Sequence, residues 1–472
     1  MLQGPNIEML EAQARVCTGP HQSRPLGKKE DDLQPAHVLD LVFQSLRGDL
    51  TGDTGVSMAQ MGAFFAAMCI RRGFGEKTGW SSAERKAFDR AARALGEMPK
   101  TLQFILQGQG DSACQPGEER VVAALREILQ GRHLSYDSTL HALREILCGK
   151  VRPELTAALL IGQRMNIEDS EEVRAYLDAV LPAEAALNVE VDSLTHFGQP
   201  FDGAQRYFRP TLFVAAVRAA LGRPTVLHGV DCMPPKNGVT EEQILEALGA
   251  NTSLSPAQGA SALEETGLVY ISQRAYAPGA YALRDMRVHI KKRPPWATTE
   301  KAQQIYRCGG RNCAVIGFYH SGYELKLLDM LRARGCDAGL AIKGEEGTTH
   351  YGLRLGKASD AQRRTINYTE GFCGTRTWAE DVQPLDFGIA YEQSPRASEI
   401  SAAAFAQEGM AALGGKRGSA YDRIVLSAGV VDYYLGFCDS AGEGVEQARR
   451  ALDDGSARRA LTRYIEATQN VD

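Results

Sequence analysis

At 472 residues the chain exceeds the usual size of one core, so two or more structural units are expected. Hydrophobic content of 44% and charged content of 24% are ordinary for a globular protein, and no apolar run approaches the ~20 residues of a membrane span. A net charge of −5 argues against a surface that seeks nucleic acid all over, and the opening MLQGPNIEMLEAQAR lacks the pattern of a secretion signal, so a cytoplasmic protein with no membrane partner is expected.

Residues 1–34 are polar and aperiodic and carry the charged run Gly27 to Asp32, which predicts a flexible leader. An extra helical segment over 35–110 follows. Val38, Leu39, Leu41, Val42 and Leu46 recur at helical spacing, Ala59 to Ile70 reads as a second apolar helix, and 81–108 as one or two more. A helical domain over 118–185 comes next, with short helices around Leu125 to Leu129, Leu140 to Leu147 and Leu155 to Ile161. The two helical blocks resemble one another: Leu46-Arg47-Gly48 parallels Leu129-Gln130-Gly131, and Gln60 to Phe65 parallels Glu154 to Leu159. Two readings stand at this point, a partial duplication and the similarity that any two amphipathic helix pairs share.

From 186 to 472 short apolar strands alternate with helices, the mark of a largely parallel sheet covered by helices. Strands are predicted at Leu187 to Val191, Thr225 to Leu227, Val269 to Ser272, Ala314 to Gly317, Gly339 to Ile342 and Arg423 to Leu426. A loop is predicted over 195–206, with helices over Pro210 to Leu221, Glu241 to Leu248, Gly444 to Leu452 and Ser456 to Thr468. The loop segment His196 to Gly203 reads as a glycine-bearing strand-to-helix turn of the kind that holds a phosphate. The ten cysteines form no C-x-x-C pair and read as reduced thiols.

The order of these parts resembles the anthranilate phosphoribosyltransferase family, glycosyltransferase family 3. The matching pieces are Leu129 to Leu134, Thr156 to Leu160, Phe197 to Gly203, Pro210 to Leu221, His228-Gly229, Leu245 to Gly249, Leu263 to Gly267, Tyr276-Ala277-Pro278 with Arg287, and Glu443 to Ala457. The resemblance implies an α/β fold of the nucleoside phosphorylase/phosphoribosyltransferase type, a small all-helical domain joined to a large parallel-sheet domain. It implies displacement of pyrophosphate from phosphoribosyl pyrophosphate (PRPP) by an acceptor, with Mg²⁺ neutralising the departing group. It further implies a ligand, PRPP or nucleotide-like, in the cleft between domains, and a homodimer paired through the helical domain, which the extra helices could extend or block.

Carried over residue by residue, the phosphate and PRPP contacts fall on Gly198, Asp202, Gly203, Arg209, Thr211, His228, Gly229 and Lys236. The carboxylate-holding arginine falls on Arg287, and Glu345 and Glu346 lie where the metal-binding acidic pair is expected. Several family positions have changed. The loop G-T-G-G-D-G keeps only Gly198, Asp202 and Gly203, Pro200 brings no N–H, and K-H-G-N has become Leu227-His228-Gly229-Val230. These departures, with Phe201 to Arg206 and Ile342 to Gly347, are similar to a paralogue branch whose role is dimeric nucleic-acid binding. On that alternative the phosphate-neutralising residues are Arg206, Arg284, Lys291, Lys292 and Arg293.

Overall fold

A computed structural model of the chain describes residues 5–29, 33–354 and 365–470. The last three residues of the charged run at 27–32 lie outside the described residues. The chain divides into two compact units, one of Met1–Val180 with Ala282–Ala297, the other of Leu181–Tyr281 with Thr298–Asp472.

The first unit is helical: α1 (Ile7–Val16), α2 (Pro35–Arg47), α3 (Met58–Ile70), α4 (Ser82–Arg90), α5 (Ala92–Gly96), α6 (Lys100–Gln107), α7 (Glu119–Ile128), α8 (Tyr136–Leu147), α9 (Pro153–Asn166) and α10 (Ser170–Val180). Several of the helix starts have a local cause. Pro35 and Pro153 open α2 and α9, where a missing N–H costs nothing, and Ser57 and Ser81 form capping boxes with Gln60 and Glu84. Where a flexible leader was expected, the described residues form α1, capped by Asn6, with Met9, Ala12 and Val16 in the core. These three buried apolar residues suffice because they fall on one face. α3 and α9 are apolar almost all round and run through the middle of the unit.

The second unit is built on a seven-stranded sheet in the order β4-β3-β2-β6-β7-β8-β9, with β2 (Ser193–Gly198), β3 (Thr225–Gly229), β4 (Leu268–Ser272), β6 (Arg311–Gly317) and β7 (Ala338–Ile342) parallel. β8 (Tyr368–Cys373) and β9 (Arg376–Asp381) close one edge antiparallel, while β1 (Leu187–Val189) and β5 (Tyr306–Cys308) form a separate parallel pair. β2 and β6 run in register from Ser193 opposite Arg311 to Gly198 opposite Ile316, which sets the carboxyl ends of the central strands side by side. In open parallel sheets that edge is where ligands are held.

Two further expectations are corrected. Residues 195–198 of the predicted loop belong to strand β2, whose polar Thr195 and His196 lie inside the sheet rather than in solvent. Thr195 is satisfied by Arg218, whose Nη2 donates to its hydroxyl at 2.7 Å. The strand expected at Arg423 to Leu426 is part of a helix, Ser419–Tyr434. That helix is buried on nearly every side, so its apolar run carries no helical period to distinguish it from a buried strand. Among the described residues no helix is long and apolar enough to cross a membrane.

Candidate functional site

β2 ends at Gly198 and the chain turns through Gln199 to Gly203 before helix α11 (Thr211–Ala220). The glycines of this turn serve the protein's own backbone. A Cβ on Gly198 would overlap the carbonyl of Lys301, and one on Gly203, whose φ is +76°, would overlap that of Gly238. Gln199 donates to the Thr211 hydroxyl at 2.6 Å and to Thr349. Arg209, buried, donates to the Pro200 carbonyl at 3.0 Å and pairs with Glu241. The loop is therefore closed by internal partners where the sequence suggested a cradle.

A second closure lies beside it. The backbone N–H groups of Gln205, Arg206 and Tyr207 all donate to the Glu346 carboxylate, at 3.2, 3.0 and 3.2 Å. Lys236 Nζ stands 3.8 Å and Arg206 Nε 3.6 Å from the same carboxylate, and Lys236 is also 3.6 Å from Asp202. Three consecutive N–H groups with two cations form an anion nest, and here its anion is part of the chain. Glu346 itself sits at φ +57°, a left-handed conformation that a non-glycine residue adopts only when its surroundings enforce it.

Glu345 points elsewhere. Its carboxylate, 3% exposed, pairs with Arg423 at 3.0 Å, stands 3.5 Å from His350 and accepts from Ser394. Burial alone would raise its pKa. The hydrogen bond with His350 and the Arg423 charge outweigh that and hold it below the usual range. Burial lowers the His350 pKa against the pull of Glu345. The two glutamates expected to hold Mg²⁺ thus face guanidinium, imidazole, ammonium and N–H groups. A dication at either carboxylate would meet these donors and cations, so this donor set does not fit the metal.

His228, near the end of β3, is a feature that internal partners do not explain. It is 1% exposed, and neither ring nitrogen has a hydrogen-bond partner among the described residues. Buried polar groups are hydrogen-bonded in the great majority of cases, so an orphaned imidazole calls for an explanation and is a candidate ligand contact. Burial pushes the imidazole down to about 3, so the ring is neutral and offers one donor and one acceptor. Its ring stands edge-on to Phe201 at 5.7 Å and to Tyr276 at 6.1 Å, with His196, also pushed to about 3, close by. Gly229 follows, with room for a Cβ only 3.2 Å from the Tyr270 hydroxyl.

The structure therefore gathers Asp202, Gly203, Arg206, Lys236 and Glu346 in one network, places Gly198, Arg209 and Thr211 in the loop's scaffold, and sets His228 and Gly229 at the next strand end. Arg287, with Arg284, Lys291, Lys292 and Arg293, belongs to the segment counted with the first unit. That segment is pinned there by His289, 2.9 Å from the Ser57 hydroxyl, and by the Lys291 N–H, which donates to Gln13 at 2.9 Å. Burial lowers the Lys292 pKa, and the neighbouring charges of Arg164, Arg24 and Lys291 press the same way. Sequence reasoning missed Arg423, Gln199 and Tyr276 as site residues. The Tyr276-Ala277-Pro278 motif was the one available signal.

The helical-bundle domain of a glycosyl transferase family matches residues 122–182. Over 364 residues the chain is 27% identical to an anthranilate phosphoribosyltransferase of Stenotrophomonas maltophilia, covering 74% of this chain and 97% of that one. It is 28% identical over 359 residues to the Xanthomonas campestris enzyme of that name, covering 73% and 96%. The fold is similar to that of the Thermus thermophilus anthranilate phosphoribosyltransferase, with a TM-score of 0.59 at 22% identity over 74% of this chain and 99% of that one. It is also similar to the Saccharomyces cerevisiae enzyme in complex with PRPP and Mg, with a TM-score of 0.60 at 15% identity over 75% and 99%. A helical bundle and a mixed, mainly parallel sheet in this order, matched by relatives over almost their full length, make about three quarters of the chain similar to anthranilate phosphoribosyltransferases in sequence and fold.

Proposed function

We propose that the second unit binds a phosphoribosyl ligand, PRPP or a nucleotide, at the carboxyl ends of β2 and β3, as a phosphoribosyltransferase-like protein. The observation that carries this reading is His228, a neutral buried imidazole without an internal partner at the strand end that follows the phosphate-type loop. Its ring nitrogens would meet a hydroxyl or ring atom of the ligand, with Phe201 and Tyr276 as flat walls. The reaction belonging to such a site is transfer of the phosphoribosyl group from PRPP to an acceptor, with pyrophosphate leaving. In this chain the N–H nest beside the loop is filled by Glu346, and Glu345 is committed to Arg423. No step is therefore routed through Mg²⁺, and ligand binding is expected to be independent of it.

Calorimetry with PRPP and with nucleoside monophosphates, with and without Mg²⁺, tests the proposal. Saturable binding that His228→Ala weakens about tenfold, about 1.4 kcal/mol, and that Mg²⁺ changes less than about twofold supports it; binding that appears only with Mg²⁺ overturns it. A second reading, nucleic-acid binding, is favoured by the cations gathered around Lys292 in the first unit. It requires a DNA affinity that falls steeply with salt and drops when Lys291 and Lys292 are replaced by Ala.

A further inference from the structure

Within the first unit, α1 to α4 repeat α7 to α10 position by position. Met9, Ala12, Gln13, Val16 and Cys17 are buried, and so are Val121, Ala124, Leu125, Ile128 and Leu129, each 112 positions later. In α2 and α8 the buried Val38, Leu39, Leu41 and Val42 match Thr139, Leu140, Ala142 and Leu143 at a spacing of 101. Gly48 and Gly149, at the same spacing, leave the two helices in left-handed conformation at φ +82° and +71°. In α4 and α10, Ala87 and Phe88 match Ala175 and Tyr176. The register differs from the one suggested by sequence similarity, which set Gly48 against Gly131.

The polar links repeat as well, and periodicity does not produce them. The Leu26 N–H donates to Glu84 at 3.0 Å and the Leu134 N–H to Glu172 at 3.1 Å. Glu84 exchanges hydrogen bonds with Ser81, and Glu172 exchanges them with Asp169. Arg71, just past α3, donates to Glu84 at 2.8 Å, and Gln163 of α9 donates to Glu172 at 3.2 Å. Each copy thus locks its fourth helix, third helix and inter-helix turn on one buried glutamate.

The copies meet along α3 and α9, which run in the same sense. Gly62 lies against the backbone of Glu154, and Ile70, eight residues on, reaches to within 3.5 Å of a Cβ placed on Gly162, eight residues beyond Glu154. The ends cross reciprocally: the Cys69 thiol, in the last turn of α3, donates to the carbonyl of Leu129 just after α7, and a Cβ placed on Gly19, after α1, would stand 3.4 Å from Ile167 just after α9. α9 has eleven of its 14 residues buried, and the helix that packs on it most extensively is α3 of the other block rather than α7, α8 or α10. The relatives' near-full length corresponds to about three quarters of this chain, which leaves roughly one further bundle as an addition.

We propose that residues 7–90 are a second, divergent copy of the family's helical bundle, and that it covers the α9 face in cis, where a single bundle would have to take that cover from another molecule. The chain is then a monomer whose helical unit is built as an internal pair, in place of the homodimer the family resemblance implied. This does not depend on what the second unit binds.

The test uses the full-length protein. Light scattering coupled to size exclusion, over a hundredfold range of concentration, is expected to give a single species near the chain mass of 51.3 kDa. A species of about twice that mass would overturn the proposal. Hydrogen exchange read on peptides covering 58–70 and 153–166 provides a measurement within the monomer. The two are expected to exchange together, in the slowest class of the first unit. Exchange of the first well ahead of the second would show that α3 does not cover α9, and would overturn the proposal even for a monomer.

Discussion

Replacing Arg423 with Met removes the guanidinium that pairs with Glu345 while keeping a side chain of similar length in a site that is 1% exposed. Glu345 is itself 3% exposed, so the carboxylate would be left buried with only Ser394 and the neutral His350 for company. Breaking one side of a buried ion pair costs about 3–5 kcal/mol because the remaining charge has neither water nor partner. At about 2 °C per kcal/mol for a unit of this size, the melting temperature should fall by about 6–10 °C. Differential scanning calorimetry of Arg423→Met, Glu345→Gln and the double variant reads this directly. The double variant is expected to recover most of the loss, since it removes both charges. A fall below about 1 kcal/mol in Arg423→Met would refute the reasoning, because it would mean that Glu345 does not depend on Arg423 and is free to hold a cation.

Other outcomes follow from the same geometry. His196 and His228 titrate near 3 when folded and near 6.5 when unfolded, so the unfolded state binds protons first as pH falls. Their contribution is complete above about pH 6.5 and declines toward pH 3, by up to about 1.4 kcal/mol per pH unit for each ring. Urea midpoints measured across that range should drop, and less steeply in His228→Phe; an equal slope would count against a neutral buried His228. Glu346→Ala uncovers the three N–H groups of residues 205–207, so added phosphate should raise the variant's melting temperature and leave the parent's unchanged. Equal response of the two would mean that Glu346 does not occupy an anion site. Gly198→Ala forces a methyl group into the Lys301 carbonyl and is expected to destabilise by about 1–3 kcal/mol in urea unfolding; a neutral result would show that the loop is open enough to admit a ligand there.

The sequence carried the α/β order because short apolar runs such as Val226-Leu227 and Ala338 to Ile342 are bounded by glycine and charged turns, and because α2 holds a clean apolar stripe. It misled at helix 419–434, whose faces are all buried, and at β2, whose Thr195 and His196 look like loop residues until Arg218 supplies a partner 23 positions away. Family motifs located the loop, Asp202, Lys236 and His228, but gave no sign that Glu346 would turn inward or that Glu345 would find Arg423 across 78 positions. Such pairings are decided by tertiary contact and leave no local pattern. The first helical copy was only half legible for a related reason: the sequence suggested a partial repeat but set Gly48 against Gly131, because α1 shares burial positions with α7 but few residue types.

The account turns on His228 as the group left for a ligand. Selective ¹⁵N labelling of the nine histidines, with His228 identified by substitution, allows its ring nitrogens to be followed by NMR as PRPP is added. The account predicts a neutral ring in the free protein and a saturable shift of at least one His228 nitrogen that tracks ligand occupancy without Mg²⁺. Occupancy by PRPP with the His228 resonances unmoved would contradict it.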